Sequence, residues 1–349
     1  MSDDIYRHIQ RQLDQYSIGF PETESGVEIE ILKFFFTEEK ALLFSQLTDK
    51  LESPEEIARR LGQPETDVAD NLEKMAQKGL LYRVRKEDRV MYCAAPFLHG
   101  LLEFQAFDMP KALVALTGKY INEKLKKNMA GASGMRVLPI QESIDVRHRI
   151  TTTDDAFEIL RQEELIALAD CACRLQYKQF DRACDAPMEA CIMLGHMAEY
   201  YLENGMARQI TLDEAMKVIE DCRAAGLVTQ TPAMDRPIMI CSCCKCCCGI
   251  LGAVRRTSKP AELVVTDHLC RVDTETCSGC EVCIDRCLVQ AISMNEQAVA
   301  DINPDRCIGC GLCIPSCPDD AMRLVPRPRE ATMAQMPIKS AFTFYDFKP

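Results

Sequence analysis

In PETDVADNLEKMAQKG, Val68, Leu72 and Met75 recur on one face of a helix that Pro64 opens and Gly79 stops. Ahead of it, Ser53-Pro54-Glu55-Glu56 is a sharper start: serine caps, proline takes the first turn, and Glu56 can complete a capping box. Ile57, Ala58 and Leu61 supply the apolar side of that helix, and Thr37 opens another in TEEKALLFSQL. The period then changes, and LLYRVRKEDRVMYCAA reads as two strands around a charged turn. PFLHGLLEFQAFDMPKALVALTGKYINEKLKK predicts two helices, with Pro110 near the second start. A small-residue stretch at 128–134 and an extended RVLPI at 136–140 follow. Thr211-Leu212-Asp213-Glu214 is another capping box, leading through Ala215, Val218, Ile219 and Cys222 to Gly226. The proline-rich tail, 327–349, lacks periodicity and is expected to run over the surface or meet a partner.

Helix, helix, longer helix, then hairpin over residues 28–95 resembles a winged helix-turn-helix domain. Its candidate recognition helix carries Glu65, Asp67, Asp70 and Glu73 against Lys74 and Lys78. Phosphate recognition needs a positive surface, so specific DNA binding is not expected, although Arg83, Arg85, Lys86 and Arg89 could form a basic wing. Packing or partner recognition is the expected use.

The chain has 349 residues, enough for two or three domains, and a formal net charge of −12. That charge disfavours nonspecific binding to nucleic acid or anionic membrane and suits docking to a basic redox partner. No apolar run reaches the length of a membrane span. The start, MSDDIYRHIQRQLDQY, has no apolar signal core, so a cytoplasmic location is expected. In that reducing setting, 21 cysteines point to metal or redox use before disulfides.

CSGCEVCIDRC at 277–287 and CIGCGLCIPSC at 307–317 both read C-x2-C-x2-C-x3-C. Structural zinc usually takes two close cysteine pairs, so two regular tetrads favour iron–sulfur. The spacing resembles the bacterial ferredoxin pattern for two [4Fe–4S] clusters. The resemblance implies that Cys277, Cys280 and Cys283 with Cys317 hold one cluster, and that Cys307, Cys310 and Cys313 with Cys287 hold the other. Gly279, Gly309 and Gly311 are expected to let backbone amides approach. Pro318 follows the second tetrad, whereas Leu288 takes that place after the first.

Ten further thiols are candidate metal ligands: Cys171, Cys173, Cys184 and Cys191, then Cys241, Cys243, Cys244, Cys246, Cys247 and Cys248. Cys222 and Cys270 are extra candidates. One reading places one or two additional iron–sulfur clusters there; the other makes some thiols zinc ligands and buries the rest. Lys245 is expected to offset thiolate charge. Asp170, Arg174 and His196 are candidates for groups beside a centre, but capping or surface ion pairs account for them equally. His99 reads as a packed side chain outside the site.

DCACR at 170–174, CSCCKCCCG at 241–249 and the ferredoxin tail together resemble uncharacterised ferredoxin-type proteins of anaerobes. IGFPETESGVEIEILKFFFTEEKA, AQKGLLYR and PFLHGLLEFQ extend that likeness to the amino half. The resemblance implies anaerobic electron transfer.

The expected fold is α+β and multidomain. Residues 1–95 form a helical arm and winged-helix-like domain, and 96–150 a helical connector. A mainly helical, cysteine-rich metal domain covers 151–262, a bacterial-type two-cluster ferredoxin fold 263–326, and the tail 327–349. The expected function is single-electron relay between the ferredoxin domain and the central centre or a redox partner, either a donor or acceptor protein or a larger oxidoreductase complex. A reductase with a catalytic central cluster and a redox-responsive regulator are the alternatives. No nucleotide, flavin or nicotinamide motif and no catalytic residue is identified, so a carrier or complex subunit is favoured over a stand-alone enzyme.

Overall fold

A computed structural model of the protein describes residues 2–86, 88–125, 134–139, 155–234 and 236–327. Positions 128–133 of the small-residue stretch, position 140 and the tail 328–349 lie outside the described residues.

The N-terminal region contains α1 (Ser2–Leu13), α2 (Val27–Phe35), α3 (Glu38–Ser45), α4 (Pro54–Leu61) and α5 (Glu65–Gln77). Local chemistry sets their ends. Thr37 accepts the backbone N–H of Lys40, and Ser53 and Glu56 form the complete capping box. Val68, Leu72 and Met75 are buried as their spacing requires, each burial favouring the fold by about 1.5–3 kcal/mol. Strands β1 (Tyr82–Lys86) and β2 (Arg89–Cys93) pair antiparallel, from Tyr82 opposite Cys93 to Lys86 opposite Arg89.

Half of the expected basic wing is committed inside the molecule. Arg83 is buried and bridges Glu73, at 2.7 Å, and Glu203; Arg85 pairs with Glu203 at 2.9 Å and Glu73 at 3.0 Å. Tyr200 donates from the same neighbourhood to the carbonyls of Leu81 and Ala76, at 2.8 and 3.0 Å. Two of the expected wing cations therefore tie the hairpin to the central region.

The connector is less regular than two helices. Leu98, His99 and Gly100 leave helical geometry, His99 at φ 58°, before the short α6 (Leu102–Gln105) and then α7 (Lys111–Tyr120). Pro110 caps α7 as its position suggests.

The central region is not mainly helical. Its centre is a six-stranded antiparallel sheet, in the order β3 (Met135–Val137), β7 (Val228–Pro232), β8 (Met239–Cys243), β5 (Glu189–Leu194), β4 (Ile166–Asp170) and β6 (Arg208–Gln209). Helices α8 (Ala156–Arg161) and α11 (Leu212–Ala224) cover one face, burying Leu168, Ile192, Ile240 and Ile219 together. Alternation sends Cys191, Met193, Met239 and Cys241 to the other face. That face receives the connector, α9 (Ala172–Lys178) and α10 (Gly195–Glu203).

The C-terminal region has α13 (Val282–Arg286), β10 (Ile292–Met294) paired with β11 (Ala300–Ile302), and β9 (His268–Val272) paired with β12 (Met322–Pro326). It is joined to the centre by α12 (Gly249–Val254) and by one apolar cluster. In that cluster Val228, Leu251 and Val254 pack with Ile308, Leu312 and Leu324. Among the described residues, no helix is long and apolar enough to cross a membrane.

Candidate iron–sulfur and thiolate centres

The two C-terminal tetrads lie on tight loops. Gly279 and Gly309 have φ of +75° and +66°, and a Cβ on either would meet a backbone carbonyl, of Ala298 at 2.3 Å or His268 at 2.4 Å. These glycines thus let the first loop press against the β10–β11 turn and the second against β9, a constraint separate from exposing amides. The backbone N–H of Ala291 donates to Cys287 Sγ at 3.2 Å, and that of Ala321 to Cys317 Sγ at 3.3 Å. The equal spacing of the repeat therefore has a hydrogen-bonding role.

Cys287 lines one small cavity with Cys307, Cys310 and Cys313, so the last cysteine of the first motif meets the first three of the second. Cys277 and Cys280 lie close enough to Cys283 to act on its thiol electrostatically. Ser278 Oγ donates to Asp319 at 2.5 Å, drawing the chain beyond Cys317 to the first loop. Cys270 adds a buried ninth thiol. Its sulfur is 3.4 Å from Cys313 Sγ, and its N–H donates to Cys307 Sγ at 3.5 Å. Burial pushes the Cys283 thiol up to about 11. A metal ion in the proton's place removes the difficulty of forming a buried thiolate, so this all-sulfur donor set fits iron–sulfur ligation.

The ten central thiols separate into two groups. The first has six members. Cys191 and Cys241 stand opposite one another on β5 and β8, with sulfurs 3.8 Å apart. Cys171, the N-cap of α9, touches Cys191 and Cys173; Cys173 touches Cys248, and Cys248 touches Cys243. Strand alternation explains why Cys241 and Cys243 join this group while Ser242 faces away. Cys171 is held low by hydrogen bonds from Cys173 and then Cys191, and both donors are raised by the same contacts.

The second group is Cys184, Cys244, Cys246 and Cys247, whose sulfurs all lie within 4.8 Å of one another. Cys247 is 3.8 Å from both Cys184 and Cys246. Four thiolates bound to one tetrahedral ion at about 2.3 Å would stand about 3.8 Å apart. Thiolates on four different irons of a cube must stand further apart. The second group therefore suits one zinc or iron ion better than a cube.

Arg174 is the buried cation between these groups. It is fully buried, and its guanidinium contacts the Ser242 carbonyl at 3.4 Å. Burial alone would lower it, but the thiolates of Cys171 and Cys244 more than offset that effect and raise it. Lys245, expected in this role, is exposed. His196 lies at the surface, 3.6 Å from Glu199, and Cys222 is buried in one apolar cluster with Cys244 and Cys247 without joining the four mutually close sulfurs.

A cavity of about 380 Å³ opens over the first thiol group. Its other wall comes from the connector, including His99, Leu102, Glu103 and Phe107. His99 is therefore not simply packed in the core. Burial lowers it to about 4 and raises Glu103 to about 7. Tyr201 also lines the cavity; burial raises it most, and the charges of Glu103, Cys191 and Cys241 add to that. Gln230, level with Cys241 on β7, also lines the cavity. No local pattern singles out these groups; an amide inside the strand-forming VTQTP was the one available signal for Gln230.

The family described as 4Fe-4S dicluster domain matches residues 270–324. Comparison with curated proteins gave no match, and comparison with solved structures gave none either. The protein thus carries a C-terminal 4Fe–4S dicluster domain after an N-terminal helical and β region and a central cysteine-rich region with a candidate metal site. It is an iron–sulfur-binding protein.

Proposed function

We propose that the protein relays single electrons between its C-terminal dicluster domain and a central iron–sulfur centre held by the six-thiol group. Cys277, Cys280, Cys283 and Cys317 would hold one C-terminal cluster, and Cys307, Cys310, Cys313 and Cys287 the other. The four-thiol group would hold a single tetrahedral ion that clamps the central region. When bound, a [4Fe–4S] cluster supplies a site that gains and loses one electron at a time.

The observation that carries this reading is the continuous packing between the two sets of thiols. Cys243 and Cys248 share an apolar cluster with Cys283, Cys307 and Cys313. Cys248 caps the N-terminal end of α12 by accepting the N–H of Leu251 at 3.4 Å. Arg306, beside Cys307, closes the other end by donating to the carbonyls of Arg255 and Thr257 at 3.1 and 3.0 Å. The helix has six residues, a rise of roughly 9 Å. A redox partner, direct or within a larger complex, would exchange electrons at the C-terminal end, where Cys280 is exposed.

The cavity supports a second reading, reduction of a small molecule at the central centre. The first reading is tested in the full-length protein with Cys243→Ser. Loss of a redox signal beyond those of the two C-terminal clusters is expected, and an unchanged redox spectrum would count against it.

A further inference from the structure

The cavity over the six-thiol group is lined by a polar side chain that no described residue satisfies. Gln230 is fully buried, and among the described residues neither its amide nitrogen nor its amide oxygen has a hydrogen-bond partner. Leaving both ends of a buried amide unmade is costly, and such groups are uncommon in folded proteins. Gln230 also stands beside Cys241 in the strand register and lines the cavity. The cavity volume is about 380 Å³; a centre on the thiol floor would take part of it, and the rest, against the connector, is room for a small molecule.

We propose that this cavity binds a small, uncharged, mostly apolar molecule carrying a carboxamide-type edge, with Gln230 as its polar anchor and the six-thiol group as its floor. An amide side chain presents a donor and an acceptor side by side. Its full complement is another such edge, as in a carboxamide or lactam. Leu102, Phe107 and Val114 on the connector supply apolar walls for the rest of the molecule.

Charge selection follows from the lining. Arg174 is fully buried with its guanidinium against the Ser242 carbonyl, while burial favours the neutral forms of His99 and Glu103. Of the other charged groups on the lining, Arg182 is exposed and Asp170 half-buried, so a charge carried in against the buried Gln230 would lose its hydration without an opposite charge among these buried groups. Entry lies between α7 and α9, where Asn122, Tyr177 and Arg182 line the cavity and are exposed. The irregular turn at Leu98–Gly100 also gains a reason. With His99 at φ 58°, it places that side chain in the cavity wall, and strained backbone of this kind is often kept at binding sites. This proposal concerns binding and does not require electron relay to be correct.

The test uses the full-length protein, purified without oxygen, with benzamide as the probe and calorimetry as the readout. Toluene lacks the polar edge, and benzoate carries a charge. Benzamide is expected to bind, benzoate to bind more weakly, and Gln230→Leu to weaken benzamide by roughly ten- to hundredfold while sparing toluene. Phe107→Trp, which narrows the opposite wall, should weaken benzamide and toluene together. That second variant keeps the test decisive if Gln230→Leu fails to fold. No benzamide binding to the native protein, or equal binding by both variants and the native protein, would overturn the proposal. Iron and sulfide contents measured on the same samples report the electron-relay reading separately.

Discussion

Arg223 donates a hydrogen bond of 3.1 Å to the carbonyl of Cys310, 87 positions away. This contact joins α11 of the central region to the second C-terminal cysteine loop. Arg286 completes a reciprocal junction by donating to the carbonyls of Arg223 and Ala224, both at 2.7 Å. Arg223→Ala should cost about 1–3 kcal/mol, because it leaves a partly buried carbonyl without its charged donor. Hydrogen exchange is expected to quicken in 307–313 and 222–226 before the rest of the chain. Unchanged exchange in both segments would show that the contact contributes nothing.

Arg174 should decide whether the central thiols can coexist as thiolates. Arg174→Gln removes a buried positive charge placed against both Cys171 and Cys244. The variant is expected to lose central metal while keeping the about eight irons of the two C-terminal cubes. Arg174→Lys should recover part of the loss, since it restores charge without the planar fork. Iron and sulfide analysis after gel filtration measures this, and full metal content in Arg174→Gln would refute it.

The four-thiol group makes a different prediction about stoichiometry. Cys184→Ser should release one zinc or iron ion per chain and no sulfide, because a single tetrahedral ion needs no bridging sulfide. The midpoint of thermal unfolding should fall as well. Loss of sulfide along with iron would place a cluster there instead.

Glu103 gives the protein a pH-dependent element outside the thiols. Burial raises its carboxyl to about 7, against the lowering effect of the Gly100 N–H, which it accepts at 3.0 Å. The folded state therefore holds this proton more tightly than the unfolded chain does. Its contribution is complete below the ordinary carboxylate value and is lost as pH rises through about 7. Glu103→Gln should remove that loss, so the variant gains on the native protein across this window by up to about 3 kcal/mol. Paired denaturant titrations at several pH values measure the difference. A constant difference would mean that Glu103 ionises normally.

Local signals were readable, and long-range ones were not. The caps at Thr37, Ser53 and Thr211 involve groups three residues apart, so the sequence displays both partners. The paired tetrads are similarly local. The central sheet escaped because its order depends on strands far apart in sequence, and because Cys241 and Cys243 hide an alternating strand within a run of thiols. Arg174 and Lys245 show the same limit for charge. Lys245 is nearer in sequence to most of the thiols, but only the fold carries Arg174 inside and leaves Lys245 exposed. The expected break near residue 262 also hides a shared core, since Val228 and Leu251 pack with Ile308 and Leu324.

The central claim is that redox-active iron resides in the six-thiol group as well as in the C-terminal domain. Mössbauer spectroscopy on iron-57-labelled full-length protein, poised through a reductive titration, tests it most directly. The predicted result is more iron than the about eight atoms of two cubes, with an additional reducible component that Cys243→Ser removes. Iron limited to two cubes, with the central cysteines all reacting as free thiols after unfolding, would contradict the claim.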